Sequence, residues 1–310
     1  MRTELWNIVL AAGAGRRLSS ITGGIPKQFW GPDAGPTLLE ETLRRSARLA
    51  RPDRTVIVVD ETHAPFVKAL PALSDFDAIL YQPCDRGTAA GVLLGLTAVA
   101  AARRDAMVLL MPSDHGVARP HLFAARIRQA SREVKDEKAD IVLFGVAPTD
   151  AEGDYGWIMP APGRTRDGES LRPVAAFVEK PGAHIAGLLL ESGAVWNTMI
   201  LVARVSALLD LYRRHLPVLT AVFAGALNRH GEDRAAFLRA EYRTLPTCDF
   251  SRDLLGKAEG LFVQTWPTSM GWSDLGTPER LARWHRTHLA EPPPRTSRHH
   301  DASHTAHMAR

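Results

Sequence analysis

The strongest constraint on this chain is an alternation along its first half. Short apolar runs rich in β-branched residues alternate with stretches of helical spacing. Trp6–Leu10, Thr55–Val59, Ala78–Tyr81, Ala106–Met111 and Asp140–Gly145 read as strands. Thr37–Arg51, Ala64–Leu73, Thr88–Arg104 and Pro120–Lys138 read as helices. Such strands, separated by helical segments of roughly 10–15 residues, build a largely parallel sheet covered by helices. After Pro148 the rhythm changes. Asp150–Arg172 reads as loops or a hairpin, Val174–Val178 as a strand, Gly182–Ser192 as a helix and Met199–Ala203 as a short strand. Ser206–Arg243 is mostly helical, Gly260–Trp266 is a last strand and Thr277–His288 a last helix. Glu291–Arg310 opens on three prolines and carries four histidines with few apolar side chains, the composition of a disordered tail.

The 310 residues suffice for a sizeable core, as one large domain or two ordinary ones. With 45% hydrophobic and 23% charged residues, a collagen-like, coiled-coil or disordered chain is excluded. Lys and Arg exceed Asp and Glu by 38 to 34, an excess too thin to mark a nucleic-acid binder. Cys84 and Cys248 lie far apart, with no CxxC and no zinc spacing, so a reduced, cytoplasmic protein is expected. The first residues run straight into a strand without a signal peptide. The most apolar run, Ala89–Ala102, is too short to span a membrane.

Four short constellations can carry chemistry. Leu10 to Leu18 is a strand opening into a glycine loop, followed by Pro26-Lys27-Gln28-Phe29. Backbone N–H groups of such a loop can cradle phosphates, with Arg17 and Lys27 as cations; the alternative is a plain βα turn. The dinucleotide fingerprint fails at Leu18, and no P-loop Gly-Lys-Ser/Thr appears. Asp114 follows a buried strand, where α/β sheets place ligands, or it caps a turn. Phe177-Val-Glu-Lys-Pro181 ends a strand in a charged pair. Gly271-Trp-Ser-Asp-Leu-Gly276 holds a glycine-flanked Asp274.

Taken together and in order, these elements resemble the sugar-1-phosphate nucleotidylyltransferases, and within them the mannose-1-phosphate guanylyltransferases. LAAGAGRRL with PKQF resembles the family's LAGGSGTRL and PKQF. Gln82-Pro-Cys-Asp-Arg-Gly-Thr-Ala-Ala90 resembles EPxxRNTAPA, and Met111 to His115 resembles PADH. Val146–Thr149 with Gly153–Gly156, Phe177–Pro181, Val195–Thr198 and Gly271–Gly276 match its later motifs. The likeness covers about residues 5–285.

The resemblance implies an α/β, Rossmann-like nucleotidyltransferase domain over 1–288, with a mixed, mainly parallel central sheet flanked by helices. Residues 1–150 would bind the nucleotide and 151–288 the sugar phosphate, leaving 289–310 as the tail. The implied substrates are GTP, or another NTP, and a sugar 1-phosphate; the implied cofactor is Mg²⁺. No nucleic acid or membrane partner is expected, and a homodimer is allowed. By motif position, Ala12, Gly13, Gly15 and Arg16 meet the nucleotide, Arg17 and Lys27 the triphosphate, and Gln82, Gly87 and Thr88 the base. Asp114 and Asp274 match the carboxylates that hold Mg²⁺. Gly156, Glu179, Lys180 and Asn197 match positions that grip the sugar and its phosphate.

The chain departs from the pattern at several places. Gly87 replaces Asn, Met199 replaces Gly, and Asp249-Phe250-Ser251 exchanges two polar types. These fall where base and sugar are sorted, so another NTP and sugar 1-phosphate pair, or a weakly catalytic regulatory binder, are the competing expectations. Only six of the 38 basic residues are Lys, yet Lys27 and Lys180 both lie inside motifs.

Overall fold

The computed structural model describes residues 4–32, 35–163, 171–229 and 231–288. The expected tail over 289–310 lies outside the described residues. The strands are β1 Leu5–Ala11, β2 Thr55–Asp60, β3 Ala78–Gln82, β4 Met107–Pro112, β5 Gly116–Val117, β6 Ile141–Val146, β7 Gly156–Pro160, β8 Arg172–Glu179, β9 Val195–Arg204, β10 Phe262–Trp266 and β11 Trp272–Ser273. The helices are α1 Ser19–Thr22, α2 Leu38–Ser46, α3 Ala64–Ala69, α4 Thr88–Ala102, α5 Pro120–Lys135, α6 Ala183–Glu191, α7 Val205–His215, α8 Pro217–Leu227, α9 Gly231–Tyr242, α10 Phe250–Asp253 and α11 Pro278–His288.

One mixed sheet holds nine strands in the order β3-β2-β1-β4-β9-β6-β10-β8-β7. β3, β2, β1 and β4 run parallel, as the alternation predicts. β9 then runs antiparallel to both β4 and β6, and β7 with β8 forms an antiparallel hairpin. Every residue of β2 and β4 is buried, because helices cover both faces. Side chains alternate between two cores. Ile8, Val56, Val58, Val108 and Leu110 face one layer with α4; Val9, Ile57, Leu109 and Met111 face the other with α5. Helix α4 is apolar all round and seats closely on β1: a Cβ at Gly95 would lie 2.7 Å from Ile8 Cγ2. Cys84 and Cys248 are both free. No helix among the described residues is long and apolar enough to cross a membrane.

Boundaries differ from expectation where local chemistry intervenes. The helix expected over Ala64–Leu73 ends at Ala69, two residues before Pro71, and that over Thr37–Arg51 ends at Ser46 in a run of turns. The stretch read as loops or a hairpin contains β7, which pairs with β8. β9 begins at Val195 rather than Met199, because Val195 and Trp196 bury their side chains and pair with β7. Along β6 and β9 the register steps from Leu143↔Leu201 to Gly145↔Asn197, so β9 bulges between Asn197 and Leu201.

Gly145 faces that bulge, and a Cβ there would sit 2.3 Å from Val195 Cγ2 and 3.1 Å from Val195 Cβ. We therefore expect Gly145→Ala to cost about 1–3 kcal/mol by overpacking, read as a fall in the urea unfolding midpoint at unchanged slope.

Candidate active site

The strand order reverses at β1, with β2 on one side and β4 on the other. Parallel sheets open a crevice at such a switch point. Here the crevice is lined by the loop after β1 and by Ser113-Asp114 after β4. The Ser113 N–H donates to the Leu10 carbonyl at 3.0 Å, which carries the β1–β4 ladder to the brink of Asp114. Gly15 has φ 62, and a Cβ there would lie 2.8 Å from the Lys27 backbone nitrogen. Glycine is therefore required for the loop to close over Lys27. A Cβ at Gly13 would meet nothing within 4 Å, so its backbone faces open space. Buried Gln28 holds the loop from beneath: its Nε2 donates to the carbonyls of Ala11 at 2.7 Å and Gly13 at 3.0 Å.

Lys27 is buried, and a buried ammonium needs partners. Its Nζ donates to the Asp274 backbone carbonyl at 2.6 Å and pairs with Asp114 Oδ2 at 3.2 Å. An ammonium carries three N–H donors, so one remains for a further acceptor. Burial pushes the Asp114 carboxyl up, but the charge and hydrogen bond of Lys27 together with His115 and a backbone N–H outweigh it and leave the group below the usual carboxylate range. His115 lies beside it, with Nε2 3.9 Å from Asp114 Oδ1. Burial lowers that imidazole to about 4, so it is neutral at pH 7.

The Asp274 carboxylate is held from the other side. The Tyr155 hydroxyl donates to its Oδ1 at 2.8 Å, and Arg280 Nη1 lies 3.2 Å from its Oδ2. Arg280 also pairs with Glu152 at 2.8 Å, and its guanidinium sits 4.5 Å over the Tyr155 ring. Burial and Asp274 raise the Tyr155 phenol, so it stays a donor. Gly276 lets the carboxylate in, since a Cβ there would lie 2.3 Å from Oδ2. Between these groups lies a cleft of about 280 Å³ lined by Gly15, Arg16, Arg17, Leu18, Lys27, Asp114 and Gly276. Arg17 is exposed at its mouth, with Nη1 3.3 Å from Asp154 Oδ2.

A second group forms around the β7–β8 hairpin. Its register sets Gly156 opposite Glu179. A Cβ on Gly156 would meet Glu179 Oε2 at 2.6 Å and the Asn197 Cβ at 3.3 Å, so these three converge. Burial, then nearby Asp249, pushes the Glu179 carboxyl up. Lys180 follows with φ 46 and an exposed ammonium 3.8 Å from Glu179 Oε1. Its N–H donates to the Tyr155 carbonyl at 3.1 Å. Tyr155 thus ties the two groups together, by its hydroxyl to Asp274 and by its carbonyl to Lys180.

The residues matched to the base are arranged differently. Gln82 is buried, with Nε2 3.4 Å from Asp60 Oδ2 and Oε1 accepting from the Tyr242 hydroxyl at 3.4 Å. Gly87 has φ 80, and a Cβ would meet the Cys248 carbonyl oxygen at 2.2 Å. The loss of Asn at this position is thereby coupled to the close approach of the segment around Cys248. Thr88 Oγ1 accepts from the Phe250 N–H at 2.8 Å. Asp249, the exchanged residue, caps α10 by accepting from the Arg252 N–H at 2.9 Å. Three contributors were not singled out from sequence: Tyr155, Gln28 and Arg280. The first two lie inside motifs read for their neighbours Gly156 and Lys27. Arg280 carries no local signal.

The chain is 30% identical over 277 residues to the alginate biosynthesis protein AlgA of Pseudomonas syringae pv. tomato, covering 87% of this chain and 56% of the relative. It is 29% identical over 290 residues to mannose-1-phosphate guanylyltransferase 2 of Escherichia coli O157:H7, covering 88% and 58%. The chain thus spans little more than half the length of these curated relatives. A crystal structure described as mannose-1-phosphate geranyltransferase from Thermus thermophilus matches with a TM-score of 0.79 at 27% identity, over 94% of this chain and 80% of that one. The sequence model of the Nucleotidyl transferase family matches residues 6–291, and the chain belongs to that family.

Proposed function

We propose that this chain transfers the guanylyl group of GTP to mannose 1-phosphate, giving GDP-mannose and pyrophosphate. The observation that carries this is the buried Lys27 ammonium, fixed under the Gly15 loop between Asp114 and the Asp274 carbonyl with one N–H to offer. The relatives named mannose-1-phosphate guanylyltransferase support the choice of substrates.

The reaction places two anions against each other. An ionised oxygen of the sugar phosphate attacks the α-phosphorus in line, and the bond to the leaving pyrophosphate breaks. That oxygen is already anionic at neutral pH, so the site needs no general base. Positive charge and positioning carry the catalysis. Lys27 would donate to a triphosphate oxygen, and Arg17, freed from Asp154, would clamp the leaving phosphates from the mouth of the cleft. Open backbone at Gly13 would admit the phosphates closely. Glu179 and Asn197 would grip sugar hydroxyls, with Lys180 beside them for the sugar phosphate.

Asp114 and Asp274 fit a magnesium ion. Both are hard oxygen donors that meet at Lys27; Asp114 lines the cleft with its side chain 33% exposed, Asp274 stands two residues before the lining Gly276, and Mg²⁺ is commonly held by one or two carboxylates with substrate phosphates. When bound, Mg²⁺ would neutralise charge on the phosphate oxygens.

Pyrophosphate release should be fastest with GTP and mannose 1-phosphate in a panel of four NTPs against common hexose 1-phosphates; absence of release with every pair refutes the proposal. Lys27→Met should lower kcat by about two to three orders of magnitude, as for loss of a preorganised charge at a transition state. Lys27→Arg should not restore the rate, because the wider guanidinium does not fit a buried ammonium seat. The depressed Asp114 carboxyl fixes the sign of a pH effect. Its pairing with Lys27 contributes fully above about pH 4, the unfolded carboxylate value, and is lost as pH falls further. The difference in urea midpoint between wild type and Asp114→Asn should therefore be flat from about pH 5 to 8 and shrink below about pH 4.

A further inference from the structure

Helix α2 carries a buried charge outside the groups assigned to the chemistry. Thr42 and Arg45, one helical turn apart, share its buried face. Arg45 is 4% exposed. Burial pushes its guanidinium down to about 10, so it stays charged at neutral pH. Among the described residues no carboxylate lies within 4.0 Å of it. Glu41, which acts on it from further away, pairs with Arg44 at 2.9 Å. The Arg45 Nε has no hydrogen-bond partner among the described residues. A charge taken from water without a counterion costs stability, so the position calls for another reason.

What Arg45 holds is the backbone around Asp114. Its Nη2 donates to the His115 carbonyl at 3.1 Å and to Thr42 Oγ1 at 2.9 Å. Thr42 Oγ1 in turn donates to the Ser113 carbonyl at 3.0 Å. The carbonyls on either side of Asp114 are thus both tied to α2. The hold continues into β5, where Gly116 pairs with Ser273 and Val117 with Trp272 of β11. The Ala118 N–H extends this ladder to the Gly271 carbonyl at 3.0 Å. One short antiparallel ladder therefore joins the segment that carries Asp114 to the segment that carries Asp274, and α2 anchors it at His115.

We propose that Arg45 is a positioning residue, which acts through His115 and through Thr42 on Ser113 to set the spacing of the Asp114 and Asp274 carboxylates for one divalent cation. This rests on the metal reading given above. A cation shared by two carboxylates from distant segments tolerates little error in their spacing, and groups behind the ligands supply that precision. Arginine suits the task because its planar fork presents N–H donors in fixed directions, and here one nitrogen serves two acceptors. Arg45 itself contacts Asp114 only through the backbone and its neighbours.

The test measures GTP affinity by titration calorimetry, once with Mn²⁺ and once with EDTA, in wild type, Arg45→Met, Thr42→Val and Asp114→Asn. Wild type should bind GTP more tightly with Mn²⁺, and Asp114→Asn should lose that gain. Arg45→Met should reduce the gain by about tenfold or more, the usual cost of removing a group that orients a metal ligand, with GTP affinity in EDTA unchanged. Thr42→Val removes one hydroxyl and should move the gain in the same direction; it carries the test if Arg45→Met does not fold. A purely structural role would weaken GTP binding with and without metal alike, and that result overturns the proposal. So does a full gain in a folded Arg45→Met or, where that variant does not fold, in Thr42→Val. A wild type without a gain from Mn²⁺, or a gain that survives in Asp114→Asn, refutes the metal reading and this role with it.

Discussion

A lysine ammonium buried beneath a glycine loop organises this molecule's site. Lys27 joins three segments distant in sequence: its own turn, the end of β4 at Asp114, and the loop at Asp274. Removing a charge from water is costly, and only these partners make the position tolerable. The requirement spreads outward. Gly15 must be glycine for the loop to lie on Lys27, Gln28 must hold the Ala11 and Gly13 carbonyls, and Gly276 must leave room for the Asp274 carboxylate.

The second group depends on the first through Tyr155. Its hydroxyl orients Asp274 and its carbonyl receives the Lys180 N–H, so one residue ties the Asp274 carboxylate to the β7–β8 hairpin. Backbone strain concentrates in the same place: Lys180, Leu275 and Met199 all hold left-handed conformations beside groups the chemistry would use. A rigid sheet with two cores supplies the support that keeps such conformations populated.

Much of this was legible in the sequence, for identifiable reasons. The parallel half of the sheet shows as apolar runs because β2 and β4 are buried on both faces. Motif position groups Arg17 with Lys27, Asp114 with Asp274, and Gly156 with Glu179, Lys180 and Asn197; the fold lines one cleft with Arg17, Lys27 and Asp114, and brings Glu179 and Asn197 together at Gly156. What was not legible depends on contacts across the fold. Trp196-Asn197-Thr198 hides the start of β9, because polar residues interrupt the apolar pattern at a bulge. Arg280 reaches Asp274 from α11 without any spacing rule. Gln82 sits in a motif but turns its amide inward to Asp60 and Tyr242, an orientation that only the packing against α9 decides.

The proposed function requires phosphates to gather at Lys27, between the Asp114 carboxylate and the Asp274 backbone carbonyl. Crystals of the full chain soaked with GTP and manganese, recorded at the manganese absorption edge, test it directly. The account predicts an anomalous peak within coordination distance of Asp114 and Asp274 carboxylate oxygens, with a triphosphate oxygen on Lys27 Nζ. Manganese and triphosphate bound away from these three residues would contradict it.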